Sequence, residues 1–290
     1  AAGNIFMGMT ESPVLIKNYL PTMNRSEIFL VMVSGMGTIA GSVMGTYIGM
    51  LGGTDPAAKV LFATHLLSAS VMAVPGSIVL AKMLCPQTEE ATDHVAISGK
   101  EKENSNILDA ISSGTVTGVK LMTNIAAMLL VFISLVALAN YITEGVIGRY
   151  TGLNDWIVKI TDGKAQGLTF QFILGVITSP FMWLIGVPSQ DIMLVGSLLG
   201  QKTILNEFVA YFQLQQWKDA GLFMYEKSIL MSTYILCGFA NISSIGILLG
   251  GLGVLAPEKR GLISRIGVPA MIGGALVSVL SATIIGMILG

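Results

Sequence analysis

The 290-residue chain has few charged side chains for its length. Asp, Glu, Lys and Arg make up 11% of it, against about 25% in a soluble domain, while apolar types make up 53%. So few charges could not cover a soluble surface, the net charge of −1 leaves no basic footprint for nucleic acid, and two cysteines cannot form a disulfide framework. The composition therefore excludes soluble, disordered and disulfide-rich classes and predicts an all-α polytopic membrane protein in a lipid bilayer.

Uncharged runs predict the membrane spans, because about 20 residues cross the hydrocarbon layer as a helix. The six runs are 28–54, 60–81, 121–143, 165–190, 228–257 and 266–290. The polar stretch 86–106 predicts a solvent loop, and the apolar positions between 107 and 119 predict an interfacial helix that leads into the third span.

Two of these runs carry signs of a broken helix. Gly37, Gly41, Gly45 and Gly49 recur every four residues, which favours close packing, but the cluster 35–41 is so rich in glycine that it also indicates an unwound break. The fifth run holds Asn241, Ser243 and Ser244 at mid-span. These amide and hydroxyl groups suit a hydroxylated ligand such as a sugar; interhelical hydrogen bonds or a helix cap are the alternatives.

Two polar, proline-bearing segments predict re-entrant hairpins. Pro180 and Pro188 disrupt the fourth run, which continues through a short apolar piece to Glu207, and the N-terminal turn 3–13 carries Glu11. We interpret Asp191 and Lys202 as charges at the ends of the second hairpin. Carboxylates at membrane depth cost about 2.5–3.5 kcal/mol, so Glu11 and Glu207 either lie near the interface or face a cavity or partner.

The order of elements repeats, since each hairpin precedes two long spans. This pattern predicts an inverted repeat and points to a secondary transporter. We assign 1–83 to a first repeat, 84–143 to a cytoplasmic loop, interfacial helix and scaffold span, and 144–290 to a second repeat. HExxH, GxSxG, GxxxxGK[ST] and Cys/His metal motifs are absent from the sequence, which favours a protein that is not an enzyme and has no organic cofactor.

Four motifs, in this order along the whole chain, resemble one family. They are GNIFMGMTESP at 3–13, TIAGSV at 38–43, NEFVAY at 206–211 and CGFANISSIG at 237–246. Together they are similar to the two hairpins and two broken helices of concentrative nucleoside transporters. The resemblance implies a cation-coupled nucleoside symporter of the cytoplasmic (inner) membrane that assembles as a homotrimer.

The resemblance also implies a substrate site. It assigns the nucleobase to the first hairpin, base packing to two apolar side chains, and the ribose hydroxyls to a carboxylate, an amide and a hydroxyl. Met9, Thr10 and Glu11 would contact the nucleobase, and Val43 and Phe239 would pack on it or around it. The ribose hydroxyls would be bound by Glu207, Asn241 and Ser244. Met9 stands where glutamine is often found in the family, which leaves the base preference open.

A sodium site is the other implication of the resemblance. It would use the side chains of Asn4 and Thr38 and the backbone carbonyls of Asn4, Met7 and Ile39. Thr38 keeps the hydroxyl of the more common serine, which favours sodium; proton coupling and a non-concentrating nucleoside-binding channel are the alternatives. The family's leading scaffold spans lack a counterpart before the first motif, which predicts that the chain is a piece of a longer protein.

Overall fold

A computed structural model describes residues 1–89, 137–161, 163 and 165–290, with isolated positions between 106 and 135. The chain divides into two compact units, one formed by 1–95 with 171–290 and the other by 96–170. Every regular element in the described residues is helical, as predicted. Most of the predicted solvent loop and most of the predicted third span lie outside the described residues.

The helices are numbered here in chain order. They are α1 Arg25–Gly37, α2 Gly41–Gly52, α3 Pro56–Leu84, α4 Leu153–Ile160, α5 Phe170–Leu184, α6 Ile192–Ile204, α7 Glu207–Asp219, α8 Glu226–Leu236, α9 Ile242–Leu255 and α10 Arg260–Ile288. Three helical segments among the described residues are long and apolar enough to cross a membrane: Arg25–Gly52, Pro56–Leu84 and Pro257–Ile288.

The first 24 residues form turns rather than helical arms. Short 3₁₀ turns occupy Ala2–Ile5 and Ser12–Ile16, and α1 begins only after Asn24. Asn24 accepts a hydrogen bond from the Glu27 backbone N–H, and Glu27 accepts one from the Asn24 N–H, so a capping box fixes this start.

Both long broken helices predicted from the sequence are interrupted in the structure. Thr38 and Ala40 are extended between α1 and α2, so the glycine-rich cluster marks a real break. The segment 237–241 likewise separates α8 from α9. Gly45 and Gly49 have nothing within 4 Å of where a Cβ would lie, so the predicted glycine stripe does not pack closely at these two positions.

The two broken helices cross at their breaks. One buried apolar cluster takes its residues from α2 and α8, among them Tyr47 and Tyr234; the other takes them from α1 and α9, among them Met32 and Leu252. The first half of each broken helix therefore lies in the same apolar cluster as the second half of the other, together with residues of other helices. α10 packs along α1, α3, α8 and α9 and holds the crossing together.

Helices α6 and α7 form the hairpin that carries Glu207. They pack against each other and are joined by only Leu205 and Asn206, whereas the proline-containing run 165–190 corresponds to α5 and the turn after it. Asp191 directly precedes α6 and Lys202 lies in its last turn, so both are at the ends of the first helix of the hairpin, and both side chains are fully buried. The Asp191 carboxylate accepts hydrogen bonds from the Met224 and Tyr225 backbone N–H groups.

The described part of the second unit is held together by asparagine side chains. A π-helical segment, Tyr141–Gly148, continues through Arg149–Thr151 and precedes α4. Asn154 donates to the Glu144 carbonyl (3.0 Å) and accepts from the Leu168 N–H (3.0 Å), while Asn140 accepts from the Phe170 N–H (2.7 Å). These bonds pin the loop before α5.

Candidate functional site

Glu207 lies at the tip of the α6–α7 hairpin. Asn206 caps α7 by accepting a hydrogen bond from the Val209 N–H (2.9 Å), which places Glu207 in the first turn of the helix. The Glu207 side chain is only 8% exposed. A buried carboxylate is stable only where hydrogen-bond donors or cations surround it, so its partners define the site.

Both oxygens of the Glu207 carboxylate accept hydrogen bonds. Tyr47 of α2 donates its hydroxyl to Oε1 (3.3 Å), and Asn241 at the second break donates Nδ2 to Oε2 (3.1 Å). The ring of Tyr47 stacks on Tyr211, with centroids 4.2 Å apart, and the Tyr211 hydroxyl donates to the Thr233 carbonyl (2.8 Å). The carboxylate is thus oriented from both broken helices.

Sequence analysis did not identify Tyr47. A tyrosine within an apolar run ordinarily indicates packing, and the only available signal was a buried hydroxyl that needs a partner. Its partner lies on a hairpin 160 positions along the chain. A contact of that sequence separation is set by the packing of α2 against α7.

Asn241 caps the second half of the second broken helix. Its Oδ1 accepts from the Ser244 N–H (2.9 Å), the Ser244 hydroxyl (3.0 Å) and the Ser243 hydroxyl (2.6 Å). With the amide oxygen committed to α9, the amide NH₂ is left to face Glu207. The cap interpretation and the ligand interpretation of this motif therefore describe the same side chain, and Glu207, Asn241 and Ser244 form one buried network.

The two breaks touch through backbone. The Phe239 N–H donates to the Thr38 carbonyl (3.2 Å). A Cβ on Gly238 would lie 3.0 Å from the Met36 carbonyl oxygen and 3.1 Å from the Gly37 carbonyl carbon. Glycine at 238 allows the backbones of the two breaks to approach this closely.

Asn4 lies against the end of α1 with an acceptor left over. It is 1% exposed, and its Nδ2 donates to the Ser34 hydroxyl. Its Oδ1 is buried and lacks a hydrogen-bond partner among the described residues. Thr38, which donates its hydroxyl to the Ser34 carbonyl (3.0 Å), lies at the same helix end. A buried orphan oxygen is costly unless a cation or water binds it, so the donor set fits a small hard cation.

The other two residues named for sodium lie in this region. Ile39 is fully buried within the break, and Met7 is half-buried in the turn that follows Asn4. The Phe6 carbonyl is already used, because it accepts from the Gly41 N–H (3.1 Å). Groups of three or more His, Cys, Asp or Glu suited to a metal are not found in the described residues. Amide, hydroxyl and carbonyl oxygens are thus the donors available here.

The residues named for the nucleobase are less tightly held. Met9 is buried against Gly35 of α1, and Thr10 is half-buried beside Gly251 of α9. Glu11 is exposed and its carboxylate folds back over Gly8, which contrasts with the buried Glu207.

Val43 and Phe239, the two apolar residues named for base packing, are half-buried. Both rest against the cluster that contains Tyr47, and Phe239 also contacts the cluster that contains Met9. Phe239 therefore lies between the two groups of candidate residues.

Comparisons with known proteins agree on one family. Residues 65–286 match the family described as "Na+ dependent nucleoside transporter C-terminus". The chain is 40% identical to an uncharacterized transporter of Haemophilus influenzae, with 100% of this chain and 65% of the relative covered. It is 39% identical to sodium/nucleoside cotransporter 1 of Rattus norvegicus, with 99% and 43% covered.

Solved structures give the same result. CNTnw in an inward-facing, substrate-bound state matches with a TM-score of 0.83 and 37% identity, and the match covers 98% of this chain and 62% of that one. A CNTnw variant in an outward-facing state matches with a TM-score of 0.85 and 36% identity, covering 98% and 63%. The chain thus spans less than two thirds of the length of each of these relatives.

Proposed function

The chain belongs to the concentrative nucleoside transporter family, and we propose that it forms the substrate- and cation-binding part of a nucleoside symporter driven by sodium. The family makes it part of a multi-pass membrane transporter rather than an enzyme. The observation that carries the substrate proposal is the buried network of Glu207, Asn241 and Ser244 at the crossing of the two broken helices.

The network suits the ribose of a nucleoside. A carboxylate accepts hydrogen bonds from vicinal hydroxyls, and an amide and a hydroxyl can both donate and accept. Tyr47 and Asn241 fix the carboxylate, so a ribose can bind without first ordering the side chain. Ligands that lack these hydroxyls would leave buried polar groups unpaired, which disfavours deoxynucleosides and free bases.

The N-terminal turn 3–13 would provide the part of the site that contacts the nucleobase. Met9, Thr10 and Glu11 would contact the nucleobase, with Val43 and Phe239 packed on it or around it. Glu11 is exposed, so a bound base would cover it and give its carboxylate a partner. A methionine at 9 offers the base edge no donor or strong acceptor, which places polar base recognition on Thr10 and Glu11.

Sodium would bind at the end of α1. Asn4 Oδ1 has the free acceptor and Thr38 offers a hydroxyl. The carbonyls of Met7 and Ile39 lie in non-helical backbone, and that of Asn4 lies in the short 3₁₀ turn. The name of the rat relative supports sodium for that protein. Because the Phe239 N–H bonds the Thr38 carbonyl, an ion at the first break would also steady the residue that borders the substrate.

The remaining parts of the proposal concern assembly and movement. We expect a homotrimer in the inner membrane, with the turn 3–13 and the α6–α7 hairpin re-entering from opposite faces as an inverted repeat. The repeats would be 1–83 and 144–290, linked by 84–143. Elevator or rocking movement of the hairpins would expose the site alternately to the two sides.

Transport by the full-length protein tests this function. Proteoliposomes that hold the protein should accumulate radiolabelled uridine or adenosine above equilibrium when an inward sodium gradient is imposed. Removal of sodium at fixed pH should abolish accumulation; uptake that follows a proton gradient instead would point to proton coupling. Equilibration without accumulation would identify a channel, and absence of gradient-dependent uptake would refute the proposal.

A further inference from the structure

Lys202 is a buried cation that the substrate and sodium sites do not use. It lies in the last turn of α6 and is 0% exposed. Its Nζ donates to the Ile235 carbonyl (2.8 Å) and to the Ser278 hydroxyl (3.0 Å). Buried ammonium groups are unfavourable unless their charge is compensated, so what surrounds Nζ indicates its role.

The Ile235 carbonyl belongs to the last turn of α8, just before the second break. The last carbonyls of a helix lack intrahelical donors and carry the negative end of the helix dipole. Ser278 extends the same contact, because its hydroxyl donates to the Cys237 carbonyl (3.1 Å). Lys202 and Ser278 therefore cap the end of α8 together. The carbonyl end of α8 in turn compensates the charge of the Lys202 ammonium group.

The end of α1 at the first break has the opposite chemistry. The side chain that reaches it from the preceding turn is Asn4, which presents an unpaired oxygen. Asn4 and Lys202 occupy corresponding places: each lies shortly before the glutamate of its turn or hairpin, and each contacts the last turn of the first half of a broken helix. At the first break Asn4 presents an acceptor that needs a cation, and at the second break Lys202 is itself the cation.

We propose that Lys202 is a tethered cation at the second break, the fixed counterpart of the sodium ion assigned to the first. The inference rests on the proposed function and deepens it. Lys202 acts as a positioning residue: by holding the end of α8 it fixes the segment 237–241, and so directs Asn241 toward Glu207. One half of the proposed site thus takes its positive charge from a bound ion, while the other carries that charge on its own side chain.

Two substitutions with different volumes separate charge from packing. Lys202→Ala opens room at the end of α8, so a free sodium ion can replace the ammonium; the sodium dependence of uptake by the full-length protein should steepen, with a Hill coefficient that rises from about one to about two. Lys202→Met fills the space without a charge, so uptake should fall at least about tenfold at every sodium concentration.

A binding measurement supplies a readout that does not depend on transport. In detergent, added sodium chloride should raise the unfolding temperature of Lys202→Ala more than that of the unmodified protein, relative to choline chloride, because the variant binds an additional ion. Lys202→Met should show only the unmodified response. Lys59→Ala, which removes an exposed lysine from α3, is the matched control and should leave both the Hill coefficient and the sodium-induced shift unchanged.

The outcomes distinguish this inference from the proposed function. A wild-type Hill coefficient in Lys202→Ala, wild-type uptake by Lys202→Met, or aggregation of Lys202→Ala in sodium as well as in choline would overturn the tethered cation. Recovery of Lys202→Ala in sodium but not in choline would support it. If the unmodified protein fails to transport nucleosides, the proposed function fails, while the sodium-induced thermal shift of Lys202→Ala still decides the role of Lys202.

Discussion

The two breaks of the crossing look alike in backbone and differ in how each half-helix ends. At the first break, Asn4 leaves a buried oxygen without a partner. At the second, Lys202 and Ser278 satisfy the carbonyls of Ile235 and Cys237. The last carbonyls of a half-helix that ends inside a protein need hydrogen-bond donors or a positive group. The neutral Thr38 hydroxyl bonds the Ser34 carbonyl at the first break, whereas a charged side chain of the chain itself caps the second.

The glutamates beside the breaks differ in the same sense. Glu207 is buried and each of its oxygens accepts one hydrogen bond, from Tyr47 and from Asn241, whereas Glu11 is exposed. The candidate residues of the second half are thus oriented by hydrogen bonds within the protein, and those of the first half retain unmet hydrogen-bonding capacity. In the proposed transporter, ion and substrate would complete the first half, which makes their binding cooperative.

The largest effect is expected from Glu207→Gln. Both oxygens of the Glu207 carboxylate accept hydrogen bonds, whereas the glutamine amide has only one oxygen. The glutamine NH₂ would face the Asn241 NH₂ or the ribose. Loss of a hydrogen bond to a charged group costs about 2–3 kcal/mol, so kcat/KM for ribonucleosides should fall roughly 30- to 150-fold. Uptake kinetics in proteoliposomes measure this. Glu226→Gln, an exposed glutamate in the first turn of α8, is the control, and wild-type kinetics for Glu207→Gln would exclude a ribose role.

Asn4→Ala should weaken sodium binding at the first break. The substitution removes the unpaired oxygen, at an expected cost of about 1–2 kcal/mol, so half-maximal uptake should require roughly 5- to 30-fold more sodium. Nucleoside uptake at saturating sodium should change less than the sodium requirement. Asn18 is an exposed asparagine within the same first 24 residues, and Asn18→Ala should behave as the unmodified protein. An unchanged sodium requirement in Asn4→Ala would remove Asn4 from the ion site.

Tyr47→Phe tests whether the second half is pre-organised. It removes one donor from the Glu207 carboxylate at a cost of about 1 kcal/mol, so KM for ribonucleosides should rise roughly fivefold with little change in the sodium requirement. Tyr211→Phe retains that donor and loses only the hydrogen bond to the Thr233 carbonyl; it should lower thermal stability without a selective effect on KM. Equal KM effects of the two changes would assign Tyr47 to packing alone.

The smallest effect is expected from Thr38→Ser. Serine retains the hydroxyl that bonds the Ser34 carbonyl, so the sodium requirement should stay within about twofold of the unmodified value. Thr38→Val retains the shape and loses the hydroxyl, and should raise the sodium requirement several-fold. A sodium titration of uptake compares the pair; similar titration curves for the serine and valine variants would show that the hydroxyl does not contact the ion.

Much of the architecture could be predicted from the pattern of charges and glycines. The helical class and both breaks followed from uncharged runs interrupted by Gly, Asn and Ser, because a helix at membrane depth has few reasons to contain them. Glu207 and Asn241 were predicted as candidate site residues in the same way, and the structure joins them by a hydrogen bond. Their roles toward nucleoside remain a prediction.

Other features could not be predicted, because they depend on partners distant in sequence. Tyr47 and Lys202 have ordinary neighbours along the chain, and their partners, Glu207 and the end of α8, are brought to them only by the packing of the α6–α7 hairpin against α2 and α8. The exposure of Glu11 could not be predicted either, since burial depends on which elements pack together. The same holds for the extent of the hairpin, which consists of α6 and α7 and does not include the run before Pro188.

The sequence by itself therefore determined where the chain is apolar, where its helices break and which polar side chains lie beside the breaks, because these are local consequences of hydrophobicity and backbone propensity. The tertiary structure alone decided that Lys202 caps one half-helix while an oxygen of Asn4 stays free at the other. The physical reason is that a helix end requires an opposite charge or a hydrogen-bond partner in space, and neither requirement specifies where along the chain that partner is found.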